Sequence, residues 1–401
     1  MQHTTRNTGR FLALFACTLV ATVTPALAQF GGFRGGGWQE SIDTDQLERI
    51  AEILELDSEQ LLVAKDFLAG YRTEHAELVK EQEQLFEDAR DEFRETRDRS
   101  IWQKVGDATE AIQKDAEQLE DRFFEDLKLL LNKSQLEAWP RVKRAHRRAS
   151  TIGRGFLSGE SVDLVDVVDD VAPDAENTEL EQVLNSYADS LDRALIKRNE
   201  RYENGLSRAR ELFQARDFET IQELFKEARE AGLRVRDINE RYARQLAPLL
   251  PANAREQFRR EVNERSFPRI YRRSYAGRVF DTVEEMQGLT DAQREQIESI
   301  RAIHRRQASS INTRWEKAVR EREENTDIMS MMRQRFRGGD RQSAEREARA
   351  DRRELDIQTA DKVRDILTPE QAEKLPDEPG FDGRRDRGPG RFGGRRGGGS
   401  T

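Results

Sequence analysis

The chain has 401 residues and a formal charge of -9, from 68 Lys and Arg against 77 Asp and Glu. That balance argues against a general nucleic-acid binder, which is usually basic. Apolar residues and charged residues each make up 36% of the chain and there are 10 prolines, so long, thin helical packing is favoured over a thick globular core.

The first element in chain order is an export signal. Arg6 and Arg10 precede an apolar run from Phe11 to Val23 that ends in Pro25-Ala26-Leu27-Ala28, which predicts a signal peptide over residues 1–28. The run is too short to span a bilayer, and no later segment approaches the ~20 apolar residues that a transmembrane helix needs. The expected mature protein is therefore soluble and periplasmic, or otherwise extracytoplasmic. Leu14-Phe15-Ala16-Cys17 loosely resembles a lipoprotein cleavage box, with Phe15 bulky for that role. Cys17, the only cysteine, falls inside the removed segment, so no disulfide, thiol nucleophile or thiolate ligand is expected. Loss of two arginines takes Lys and Arg from 68 to 66 and the charge from -9 to -11. Residues 29–42 are Gly-rich and expected to be a disordered linker.

Helix-start chemistry then exposes an internal repeat. Asp57-Ser58-Glu59-Gln60, Asn132-Lys133-Ser134-Gln135, Thr290-Asp291-Ala292-Gln293 and Thr368-Pro369-Glu370-Gln371 share one layout. In each, a short polar side chain can accept an orphan amide of the first helical turn while the glutamine three residues on reaches back. Leucine precedes all four, as Leu56, Leu131, Leu289 and Leu367, and Leu61 and Leu136 complete a hydrophobic staple in the first two. Single boxes recur by chance, so the separation carries the information. It is 75 residues from Asp57 to Asn132 and 78 from Thr290 to Thr368. A weaker middle pair, Thr178-Glu179-Leu180-Glu181 and Asn253-Ala254-Arg255-Glu256, is again 75 apart.

Each closing box follows an apolar ladder on one helix face: Leu127, Leu130 and Leu131; Leu246, Leu249 and Leu250; Val363, Ile366 and Leu367. A bulky apolar residue and a proline then close each unit, at Trp139-Pro140, Phe267-Pro268 and Leu375-Pro376. Helix-favouring sequence between the boxes is interrupted at 98–106, 214–217 and 325–343, so each unit reads as a long helix out and a long helix back, paired as a coiled coil. Arms of about 30 residues would run on the order of 45 Å. The fold class expected is all-α, three tandem long helical hairpins with short capping helices. The hairpins are placed at residues 43–154, 155–270 and 271–377, and a disordered Arg/Gly-rich tail at 378–401.

The boxes at Leu289–Gln293 and Leu367–Gln371 resemble the LTxxQ motif of the periplasmic stress proteins of the Spy/CpxP and zinc-resistance-associated group. Leu56–Gln60 and Leu131–Gln135 resemble degenerate copies of it. The resemblance implies helical hairpins that act without ATP on unfolding clients. Here it would place three such hairpins in one polypeptide, with a middle unit that lacks a true LTxxQ.

Catalytic chemistry finds little footing. His75, His146 and His304 are far apart, with no second ligand at i+3 or i+4, and read as solvated helix histidines. No phosphate loop of the GxxxxGK type occurs. Asp163, Asp166, Asp169, Asp170 and Asp174 could hold a divalent cation, but an acidic helix start is the preferred reading. Met329, Met331 and Met332, in the midpoint loop of the third unit, leave copper(I) binding or adaptable client contact open beside a plain loop. Basic clusters follow the first two closing prolines, at Arg141, Lys143, Arg144, Arg147 and Arg148, and at Arg269, Arg272, Arg273 and Arg278. They suit acidic neighbours on other helices, with weak contact to an anionic envelope surface as the alternative. The Arg-rich tail, with Phe381 and Phe392, would suit RNA only in the cytoplasm, so plain disorder or a tether is preferred.

The sequence thus predicts a non-enzymatic, cofactor-free, ATP-independent chaperone or stress adaptor, with unfolded or envelope proteins as partners and self-association open. A helical envelope scaffold or spacer and a metal-stress binder are the alternatives. The client-binding residues are not legible.

Overall fold

The computed structural model describes residues 42–98, 100–175, 177–325 and 343–378, and every regular element among them is helical. The chain forms two compact units, one ending at Ser266 and one starting at Phe267. The expected signal peptide, the Gly-rich linker up to residue 41, Met329–Met332 and the Arg/Gly tail from residue 379 lie outside the described residues.

In the first unit, helix α1 (Thr44–Leu54) starts at Asp43, whose carboxylate accepts the Gln46 amide at 2.8 Å. Leu47, Ile50 and Leu54 recur at three and four residues and so share the buried face. Helix α2 (Ser58–Thr96) is 39 residues long, about 60 Å at the α-helical rise, and α3 (Ile101–Leu129) returns alongside it. Between them Arg97 adopts the left-handed conformation that ends a helix, and Asp98 accepts the Ser100 amide at 2.8 Å. This reversal is tighter than the 98–106 interruption expected, because Gly106 lies inside α3.

The root of this hairpin packs Ala64, Leu68 and Tyr71 of α2 against Leu119, Phe123, Phe124 and Leu127 of α3, with Leu47, Ile50 and Leu54 of α1 closing the open end. Helix α4 (Lys133–Thr151) adds Val142 and carries Pro140 in its interior. Pro140 therefore closes nothing. Its missing N–H frees only the carbonyl of Leu136, and Leu136 is exposed, so water can satisfy that acceptor.

The same plan follows. Helix α5 (Leu164–Val171) precedes the pair α6 (Thr178–Ala215) and α7 (Phe218–Leu246), which reverse direction through left-handed Arg216, and α8 (Arg255–Ser266) closes. Leu164, Val167 and Val168 of α5 join Tyr187, Leu191, Leu195, Val235 and Leu246 in the largest core. In the second unit, the one-turn α9 (Pro268–Tyr271) leads to α10 (Tyr275–Glu284). The pair α11 (Asp291–Asn325) and α12 (Ala344–Ile366) and the single turn α13 (Pro369–Ala372) complete it. Val279, Phe280 and Val283 of α10 pack with Ile297, Ala360 and Val363.

The fold is thus all-α, and the described residues form three long antiparallel helix pairs, each preceded by a short amphipathic helix whose apolar side fills the core at the open end of the pair.

Candidate functional site

The four capping boxes all form, and they come together in twos. Asp57 accepts the Glu59 and Gln60 amides at 2.9 Å each, and the Asp57 N–H donates back to Gln60 Oε1 at 3.1 Å. Asn132 accepts from the Gln135 amide at 3.0 Å, and Gln135 Oε1 accepts the Asn132 N–H at 2.9 Å. Thr290 with Gln293 and Thr368 with Gln371 repeat the arrangement, the return bonds being 2.9 Å in both.

Each glutamine still has its Nε2 free after capping, and these amides tie the two helix starts of a hairpin together. Gln60 Nε2 donates to Gln135 Oε1 at 2.9 Å and to the Leu130 carbonyl at 2.6 Å. Gln135 Nε2 donates to Gln60 Oε1 at 2.8 Å and to the Glu55 carbonyl at 3.3 Å. In the second unit Gln293 Nε2 donates to Gln371 Oε1 and to the Ile366 carbonyl, both at 3.0 Å, and Gln371 Nε2 donates to the Gly288 carbonyl at 3.2 Å. The acceptors occupy matching positions: Leu130 and Ile366 lie two residues before the closing cap, Glu55 and Gly288 two before the opening one. Both Glu55 and Gly288 have positive φ, 51° and 81°. Leu56, Leu131, Leu289 and Leu367 all pack against the adjoining core.

The middle pair departs from the expectation. Its opening cap is Asn177, one residue before Thr178, and it accepts the Glu179 amide at 2.9 Å. Asn177 Nδ2 donates to the Leu249 carbonyl at 3.1 Å. Leu249 is the ladder residue that matches Leu130 and Ile366, so one asparagine supplies both the cap and the cross-tie. The closing helix α8 starts at Arg255, and the Arg255 guanidinium covers the carbonyls of Leu250 and Pro248 at 2.9 Å each.

His75, His146 and His304 are buried, not solvated. His146 places Nε2 2.8 Å from Glu120 Oε1 and Nδ1 3.2 Å from Gln46 Oε1, with its ring edge-on to Phe124. His304 Nε2 lies 2.9 Å from Asp356 Oδ1, and His75 packs beside Tyr71. For His146 and His304 the hydrogen-bond partners offset the loss of water. Among the described residues no group of three or more His, Cys, Asp or Glu is placed to hold a metal ion.

The first basic cluster faces protein. Arg144 pairs with Asp189 at 3.1 Å, Arg147 with Asp192, and Arg148 with Asp163 at 2.5 Å, so α4 is bound to α6 and to the start of α5. In the second cluster Arg273 pairs with Asp281, while Arg278 lies over the Tyr275 ring. The acidic stretch is a helix start, as preferred: Asp163 caps α5 by accepting the Val165 amide, Asp166 pairs with Arg49 and Asp170 with Arg265. Burial pushes the Asp163 carboxyl above the usual aspartate range despite Arg148 beside it.

Sequence reasoning missed a buried ion pair. Glu160 and Arg198, both fully buried, lie 3.2 Å apart. Glu160 also accepts the Tyr202 hydroxyl at 2.7 Å and the Phe156 and Leu157 amides at 3.0 and 3.1 Å, while Arg198 donates to the Thr151 carbonyl. Burial, with Glu160 adding to it, drives the Tyr202 hydroxyl far above its usual range, so it stays a neutral donor. The group locks the segment between α4 and α5 onto α6. Two glycines are its traces in the sequence: a Cβ at Gly155 would lie 2.8 Å from Glu160 Cδ and one at Gly232 2.9 Å from the Tyr202 hydroxyl, so a costly helix-interior glycine is kept at 232 for close approach.

What the helices leave unused is apolar. Among the described residues seven large apolar side chains are exposed, four of them within two residues of the Gln60–Gln135 tie and its Leu130 acceptor or one residue beyond: Leu62, Val63, Leu129 and Leu136. Leu129 is 83% and Leu62 65% exposed, so neither has a packing role among the described residues. The capping pattern draws attention to Leu61 and Leu136 as staple residues and passes over Leu62 and Leu129, which sit on the far side of their helices from the core.

No family model, no curated protein and no solved structure matches the chain.

Proposed function

We propose that this chain is an exported, ATP-independent polypeptide-binding protein that works in the manner of the LTxxQ stress proteins, holding unfolding or envelope proteins without catalysis. The support from sequence is the export-like N-terminus and the LTxxQ-like boxes at near-constant spacing. The observation that carries the reading is that large apolar side chains stay in solvent on rods that are otherwise charged, gathered where two helix starts are fixed by hydrogen bonds. A rigid frame that presents uncovered leucines can bury an exposed hydrophobic segment of another protein, and the charged flanks keep the loaded complex in solution.

The test is light scattering of a chemically unfolded client diluted with and without the purified chain, in the absence of nucleotide. Suppression of aggregation near equimolar ratio is expected; aggregation that proceeds as in the control removes the chaperone role. The scaffold alternative draws on the same stiff, cross-tied helix pairs. It would be favoured by stable stoichiometric co-purification with one envelope partner together with indifference to unfolded clients.

A further inference from the structure

We infer that the root of the first helix pair, around Leu62, Leu129 and Leu136, is a docking surface for apolar polypeptide segments that are positively charged; this rests on the polypeptide-binding role and names its site and its partner chemistry. The second unit supplies an internal control. It has the same glutamine cross-tie, yet at the positions that match Leu62, Val63, Leu129 and Leu136, counted from the caps, it carries Glu295, Gln296, Asp365 and Ala372. The cross-tie therefore does not require apolar groups outside the core, and the first pair has them in addition.

Charge is the second, independent observation. From residue 58 to 129 the chain carries 20 acidic side chains against 11 basic ones, whereas residues 178–246 carry 14 against 13. The surplus reaches the leucines themselves. Segments 52–66 and 125–137 together hold eight carboxylates, all exposed, against three lysines. One of those lysines, Lys128, is engaged by Glu125 at 2.7 Å and lies over the Trp139 ring. An apolar surface with an acidic border attracts a segment that alternates apolar and cationic residues, and it repels anionic lipid headgroups and acidic peptides. A polypeptide rather than a membrane is therefore the occupant.

The experiment uses the full chain and two fluorescent peptides of equal length, one alternating leucine with lysine and one alternating leucine with glutamate. Fluorescence anisotropy should show binding of the lysine peptide that weakens as salt is raised, and little binding of the glutamate peptide. The variant Leu62→Gln, Leu129→Gln, Leu136→Ala should bind the lysine peptide at least ~tenfold more weakly, because three apolar contacts are lost. Its melting temperature should fall only slightly, since Leu62 and Leu129 are largely exposed and Leu136 is about half-exposed. Equal binding of both peptides, unchanged affinity of the variant, or displacement of the lysine peptide by anionic vesicles that bind the same leucines would overturn the inference. If the chain suppresses client aggregation and the variant does so equally well, the site falls while the polypeptide-binding role stands; if neither suppresses it, that role falls as well.

Discussion

Replacing Gln135 by alanine strips the root of the first helix pair of four hydrogen bonds: two exchanged with Gln60, one from the Asn132 N–H and one to the Glu55 carbonyl. Each such neutral bond contributes about 0.5–1.5 kcal/mol net, and Gln135 is 7% exposed, so water replaces them incompletely. The four together amount to a loss of about 2–6 kcal/mol in the local opening free energy. The direct link between the two glutamines is isolated by a double-mutant cycle with Gln60→Ala, in which the two mutual bonds should appear as a coupling of about 1–3 kcal/mol. Because the chain has two compact units, one global unfolding free energy is not well defined. Hydrogen exchange resolved to the segment 127–142 reads the local opening instead. Gln293→Ala combined with Gln135→Ala shares no partner and should be additive within about 0.5 kcal/mol. A Gln60–Gln135 coupling no larger than that control would refute the cross-tie.

Other outcomes follow from the same structure. Glu55 holds a left-handed φ at the position where the second unit has Gly288, so Glu55→Gly should raise the melting temperature, by about 0.5–1 kcal/mol of stability, and Arg216→Gly should act in the same direction; a fall in either would contradict the backbone assignment. Glu160→Ala leaves Arg198 and the Tyr202 hydroxyl without their buried acceptor and should lower the local opening free energy by at least about 3 kcal/mol, whereas Glu160→Leu with Arg198→Met should recover much of it, both read by hydrogen exchange resolved to residues 151–202. The Thr220 hydroxyl and amide hold the Asp217 carboxyl below the usual aspartate range. Its cap therefore contributes fully above the ordinary aspartate value and is lost as pH falls through the lower, folded value, so exchange at the first turn of α7 should quicken in that acid window and Asp217→Asn should abolish the change. A carboxyl resonance for Asp217 that titrates no lower than a free aspartate would sink this reading.

The helix starts were legible because capping is local chemistry: Asp57, Asn132, Thr290 and Thr368 each find their partner three residues on, and that spacing survives in one dimension. The cross-tie was not, since it joins Gln60 to Gln135 across 75 positions and depends on the antiparallel return bringing two helix starts together. Asn177 was passed over because Thr178-Glu179-Leu180-Glu181 imitates a box one residue later. Pro140 reads as a stop in the sequence, yet the helix runs through it, its freed Leu136 carbonyl lying on the exposed side. The histidines read as solvated because nothing local marks His146 or His304 as facing Glu120 or Asp356. Glu160 and Arg198 lie 38 residues apart and left only glycines as traces.

The most direct measurement of a nucleotide-independent polypeptide-binding role is an anisotropy titration of the chain against a labelled client locked in its unfolded form and against the same client folded. Saturable binding of the unfolded form alone, indifferent to added ATP, is the result expected; no binding of either form, or equal binding of both, would contradict it.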